Sequence, residues 1–270
     1  MPFAYFRTDG DLVVPLPGAV GPWMPGALSG TAVGALVASL VDELPAPCPM
    51  LMARLSIEFL RPVPSQPLRP QIDIVREGRK QQVVQVSIGV AGQDKQVIRA
   101  TGVRLRYESR DVAERPAAAR EFQPPPGASF KPDVAPRSAS LGQFESRVVR
   151  QNDFGPGITE AWFRYRGSVF EGRPLTPAMR AGLFADFGNG LAPIVEAKRY
   201  TYLNADITLH LARALRGEWV HLKARTLDGG NHLAMVTTEI GDSEGPVGWA
   251  HQALLLQPRS DTAIDLSEQT

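Results

Sequence analysis

One plan is written twice in this chain: a single helix with an apolar stripe, then four strand-like runs. In the first half Ser29 is an N-cap residue type, and the apolar spacing that follows predicts a helix over 30–44. Runs over 52–59, 71–76, 82–90 and 96–107 then alternate in polarity and are rich in Val and Ile. Turn residues such as Glu77-Gly78 and Gly92-Gln93-Asp94 part them. In the second half Thr176-Pro177 sets a cap with proline at the first helical position, and a helix is predicted over 177–189. Runs over 202–211, 218–225, 233–240 and 246–255 follow. A shift of 152 residues carries Ser56 onto Thr208 and Phe59 onto Leu211. A lone helix buries its stripe only against a sheet, so each half is expected to wrap an antiparallel sheet round its helix. The predicted class is α+β.

The stretch between the halves holds six prolines between residues 108 and 140 and keeps neither a strand nor a helix period. Proline fixes its own backbone angle and removes a donor, so this reads as an extended connector. The expected division is an N-terminal unit over 1–108, a connector over 109–142, a C-terminal unit over 143–260 and a tail over 261–270. With 43% hydrophobic and 21% charged residues the chain can build packed cores, which excludes global disorder. A net charge of +1 gives no basic field, so nucleic acid is not an expected partner. The single cysteine, Cys48, excludes an intramolecular disulfide and a multi-cysteine metal site, and fits a reducing compartment. The first ten residues carry Arg7 and Asp9 and have no apolar stretch long enough for a secretory leader, so none is expected. The uncharged run over 23–41 is broken by Pro25 and several glycines and is too polar to cross a bilayer. A cytoplasmic protein without membrane insertion is expected.

No G-x-S-x-G, phosphate-binding loop or H-E-x-x-H is present. Gly188-Asn189-Gly190 lacks the third glycine of a dinucleotide loop and follows a helix rather than a strand. All four histidines, His210, His221, His232 and His251, lie in the second half without i, i+4 spacing, so a metal site is only a minor alternative and no cofactor is expected.

Three polar residues sit where apolar ones would be expected. Asp186 shares a predicted helical face with Met179, Leu183 and Phe187, a setting that raises a carboxyl pKa towards the range of a useful base. Gln252 lies in an otherwise apolar strand, and its amide both accepts and donates. Asn204 shares a strand side with Asp206. Gly30 and Thr31 open the first helix, where unpaired N–H groups are expected to serve as oxyanion donors.

The duplicated unit resembles the double hotdog fold, two tandem repeats of a long helix wrapped by an antiparallel sheet. More narrowly, the chain resembles the acyl-CoA thioesterase II family. The resemblance rests on Ser29-Gly30-Thr31, Phe59-Leu60-Arg61-Pro62 and Val75-Arg76-Glu77-Gly78 in the first half. In the second it rests on Ala185-Asp186-Phe187, Asn204-Ala205-Asp206-Ile207-Thr208 and Ala250-His251-Gln252. It implies an acyl-CoA substrate and a water held by an aspartate, a glutamine and a threonine, with no covalent nucleophile. Those positions fall on Asp186, Gln252 and Asn204, with Thr208 the nearby hydroxyl. The acyl chain is expected beside the second helix, near Phe184 and Phe187, and Arg61, Lys198 and Arg213 are candidates for the CoA phosphates. The 152-residue shift sets Asp186, Asn204 and Gln252 against Gly34, Met52 and Ala100, so one site per chain is expected. Hotdog units assemble through their sheets, which implies a homo-oligomer. Two alternatives remain open: a hotdog hydratase or dehydratase, and a double hotdog protein that binds acyl groups without turning them over.

Overall fold

The computed structural model describes residues 3–108, 141–150, 157–196 and 199–259. The expected tail, Lys198 and nearly all of the expected connector lie outside them.

The first half opens with the hairpin β1 (Ala4–Asp9) and β2 (Leu12–Pro15), then α1 (Gly30–Asp42). Four long strands follow: β3 (Met50–Phe59), β4 (Leu68–Glu77), β5 (Gln81–Val90) and β6 (Gln96–Arg106). The second half opens with β7 (Phe144–Arg150), β8 (Ile158–Tyr165) and β9 (Ser168–Phe170). Then come α2 (Pro177–Ala185) and a single turn, α3 (Gly188–Leu191). The strands β10 (Tyr200–Asn204), β11 (Asp206–Leu211), β12 (Trp219–Asp228), β13 (Leu233–Asp242) and β14 (Gly245–Pro258) end it.

The strands join in one sheet in the order β7-β8-β12-β13-β14-β11-β3-β6-β5-β4-β2-β1-β9, with β10 beside β14. The two halves meet at the antiparallel seam between β3 and β11. There Ser56 faces Thr208, and their hydroxyls bond at 3.1 Å. Ser56 and Thr208, matched by the 152-residue shift, are thus the pair about which the antiparallel seam is centred.

The helices form for the reasons read in the sequence. The Ser29 hydroxyl accepts from the Ala32 N–H at 3.1 Å, and the Thr176 hydroxyl accepts from Met179 at 3.1 Å. Helix α1 is buried almost all round because α2 covers what the sheet leaves open. Its last turn is capped by Arg104, which donates to the carbonyls of Asp42 (3.1 Å) and Leu44 (2.9 Å) and to Gln82 (2.7 Å). The helices run antiparallel and cross where Gly34 meets Gly182. A Cβ on Gly34 would stand 2.3 Å from the Gly182 carbonyl, so only glycine permits the approach. The same packing sets Gly30 against Asp186 one turn further along.

Two departures from the expected elements shape the site. The helix predicted over 177–189 stops at Ala185, and Asp186 becomes its C-cap at φ −84°, ψ −15°. The chain turns there because Gly188 must lie flat on the sheet. A Cβ on it would meet the Thr238 hydroxyl at 2.2 Å and the Val236 side chain at 2.6 Å. The strand predicted over 202–211 breaks at Ala205, where Asp206 accepts the Ala253 N–H at 2.8 Å. Strand β11 therefore pairs with both β14 and β3, whereas β10 pairs with β14 alone. The free edge of β10 opens a notch against residues 59–63.

Candidate active site

The notch is a cavity of about 290 Å³. Leu60, Arg61, Pro62 and Met24 form its exposed rim. Leu28, Val63, Phe59, Trp23, Tyr202 and Leu203 make its apolar walls, and Gly30, Asp186, Asn189 and Asn204 meet in it as its polar floor.

Asp186 is the centre of that floor. Its Oδ2 accepts from the Thr31 hydroxyl at 2.9 Å, and its Oδ1 from the Asn204 amide at 2.6 Å and the Gln252 amide at 3.4 Å. The backbone N–H of Thr31 also bonds to the carboxylate. Gln252 is anchored a second time, donating to the main-chain oxygen of Asp186 at 3.2 Å. Asn189 donates to Asn204 Oδ1 at 2.8 Å, which turns the Asn204 amino group towards Asp186. Burial pushes the Asp186 pKa up to about 6, and the bonds from Thr31 and Asn204 hold it from rising further. The positive end of α1 acts in the same direction as those bonds. The product is a carboxyl group that ionises near neutrality and sits in line with four donors.

Asp186, Asn204 and Gln252, predicted from two strands and a helix, are therefore brought together, and Gly30 lines the same cavity. Thr31 joins them in a different capacity from the expected one. Its amide and hydroxyl are aimed at the Asp186 carboxylate, so it orients the acid rather than waiting open for an oxyanion. Thr208 is elsewhere: its hydroxyl bonds to Ser56 and to Asp206 (3.2 Å) at the seam. Phe184 and Phe187 do not line the cavity. They pack with Phe144 and Phe163, the Phe184–Phe187 ring centroids lying 5.0 Å apart, because Phe184 on α2 and Phe187 just before α3 both face the core. Arg213 is committed to Asp242 through two bonds of 2.6 and 2.8 Å, whereas Arg61 stands at the rim. Asn189 is the polar residue that the sequence reading missed. A glycine-flanked asparagine reads as a turn, and only its contact with Asn204 shows otherwise.

The first-half counterparts also shift. Asp186 lies ten positions beyond its helix cap, level with Ser39 rather than Gly34. Thr208 faces His251 as Ser56 faces Thr101, which sets Gln252 against Gly102 rather than Ala100. Asn204 keeps Met52. Ser39 bonds to Glu43, and Gly102 lies against Val41, so none of the three positions carries a carboxyl or amide side chain.

Among the described residues no group of three or more His, Cys, Asp or Glu is placed to hold a metal ion. His221 is instead buried between Glu160, at 2.9 Å, and Trp162.

The family models for the N-terminal and C-terminal acyl-CoA thioesterase domains match residues 19–105 and 111–256. The chain belongs to the acyl-CoA thioesterase family. No curated protein matches it by sequence. Among solved structures, a tesB protein of Mycobacterium avium subspecies paratuberculosis is similar at 18% identity and TM-score 0.66, over 94% of this chain and 96% of that one. A hot dog fold protein of unknown function from Alicyclobacillus acidocaldarius is similar at 18% identity and TM-score 0.70, with the same coverage. The acyl-CoA thioesterase II TesB2 of Mycobacterium marinum is similar at 14% identity and TM-score 0.60, over 94% and 95%. These likenesses show the hotdog fold.

Proposed function

We propose that this chain hydrolyses acyl-CoA thioesters to a free acid and CoA, using Asp186 to activate water. The observation that carries the reading is one carboxyl group, buried at the floor of a cavity, ionising near neutrality and held by Thr31, Asn204 and Gln252. Water bound to Asp186 attacks the thioester carbonyl carbon while the carboxylate takes its proton. The carbonyl electron pair moves to oxygen, where the second N–H of the Asn204 amide and the Gly30 N–H, both at the cavity floor, supply donors. The tetrahedral centre then collapses, the carbon–sulfur bond breaks, and the leaving thiolate takes the proton from Asp186. No covalent nucleophile is needed.

The two halves act as tandem hotdog units, the first supplying Gly30 and Thr31 and the second the carboxylate and both amides. With Ser39, Met52 and Gly102 in the mirrored positions, the reading assigns one site to each chain. The substrate's carrier enters over the rim, where Arg61 has no ion-pair partner among the described residues. No helix among the described residues is long and apolar enough to cross a membrane. A cytoplasmic setting, where Cys48 stays a free thiol, belongs to the same reading.

The test is thiol release from acyl-CoA by the wild type and by Asp186→Asn. We expect kcat to fall by roughly 10²–10⁴-fold in the variant with the circular dichroism spectrum unchanged. A folded variant that keeps its turnover would remove Asp186 from the base role.

A further inference from the structure

We infer that the cavity takes a short acyl group, of about six carbons or fewer, and that Trp23 and Tyr202 form the wall that sets this limit. The inference rests on the thioesterase reading and adds the substrate class to it. The cavity volume is about 290 Å³, at the small end of ligand pockets, which run from roughly 300 to 1,000 Å³. The reacting thioester must fit within it beside Asp186 and Asn204, so the carbonyl, the sulfur and the first atoms of the carrier arm take part of that space. What remains is lined by Leu28, Val63, Phe59, Trp23, Tyr202 and Leu203.

Among the described residues, packed side chains back that wall. The Tyr202 hydroxyl accepts from the Val195 N–H at 2.9 Å and donates to the Val195 carbonyl, so the ring is pinned. Behind it Tyr202 packs with Val236, Leu254 and Leu256 in a buried apolar cluster. The Trp23 ring leans on Tyr202 with centroids 5.5 Å apart. The other route, beside α2, is filled by the rings of Phe144, Phe163, Phe184 and Phe187. A longer chain would have to displace an anchored ring or leave its end in water.

The experiment is a thiol-release series with butyryl-, hexanoyl-, decanoyl- and palmitoyl-CoA, on the wild type, Trp23→Ala and Trp23→Leu. One methylene too many in an apolar pocket changes kcat/KM by roughly 10-fold or more. We expect the wild type to prefer hexanoyl-CoA or shorter over decanoyl-CoA by at least that factor. We expect Trp23→Ala to raise the decanoyl-to-hexanoyl ratio about tenfold, and Trp23→Leu, which keeps apolar packing on Tyr202, to raise it less. A wild type that works as well on decanoyl- or palmitoyl-CoA overturns the length limit and leaves the thioesterase reading intact. Folded Trp23 variants with an unchanged ratio overturn the wall. A wild type that releases thiol from none of the four overturns the reading itself, and this inference with it.

Discussion

At the scale of the residue, Asp186 is set by two opposing effects. Burial favours its neutral form, and the donors of Thr31 and Asn204 favour the charged one. Thr31→Val removes a hydroxyl donor from Oδ2 while keeping the side-chain shape, so the carboxyl pKa should rise above its value of about 6. The acid limb of kcat/KM should then move to higher pH by a few tenths of a unit or more. Thr31→Ser should restore it, and an unmoved limb would show that the hydroxyl does not act on the carboxylate. The same group ties stability to pH. Folded, Asp186 keeps its proton to about pH 6, against an ordinary value of 3.8. Between those values the folded chain binds more protons than the unfolded one, so stability falls as pH rises through the window and stays at the lower level above it. A two-unit shift corresponds to about 3 kcal/mol. Urea midpoints measured from about pH 4 to about pH 7 should therefore decline in the wild type relative to Asp186→Asn. Parallel curves would contradict a raised pKa.

At the scale of the element, the helix pair fixes where the carboxylate stands. Gly34 and Gly182 let α1 and α2 approach closely enough for the start of α1 to reach Asp186. Gly182→Ala would place a Cβ 2.3 Å from the Gly34 carbonyl, and main chain cannot yield cheaply. We expect a loss of about 1–3 kcal/mol in chemical denaturation; an unchanged midpoint would show that the helices can separate freely. These elements were partly legible in the sequence. The caps at Ser29 and Thr176 and the alternation of the long strands carry local signals, and the structure follows them. The end of α2 at Ala185 and the break at Ala205 were not legible, because each answers to a neighbour. Gly188 must clear Thr238, and the pairing with β3 ends where β3 ends. The site divides the same way. Asp186, Asn204 and Gln252 stand out as polar residues in apolar settings and match the family pattern. The role of Asn189, the orienting role of Thr31 and the cavity walls depend on loops around residues 21–28 and 59–63, which carry no period to read.

At the scale of the whole molecule, one sheet carries both halves and presents an outer face with apolar residues on it. Leu227 pairs with Met235 and Leu233 with Leu255 across β12, β13 and β14, and all four are exposed. Contiguous apolar surface of this kind marks an interaction site, and we propose that it joins copies of the chain. Met235→Lys should lower the sedimentation coefficient towards that of a monomer while keeping kcat/KM per chain, because none of the four residues lines the cavity. A wild type that sediments as a monomer would refute the assembly. Turnover in this chain depends on a single proton, the one that Asp186 takes from water. The most direct measurement is the pH dependence of wild-type kcat/KM for a short acyl-CoA. We expect a plateau at neutral pH and a tenfold loss per pH unit below an apparent pKa of about 6, the value that burial gives Asp186. A rate that holds its plateau down to the ordinary carboxylate range would contradict the assignment of that buried carboxyl group as the base.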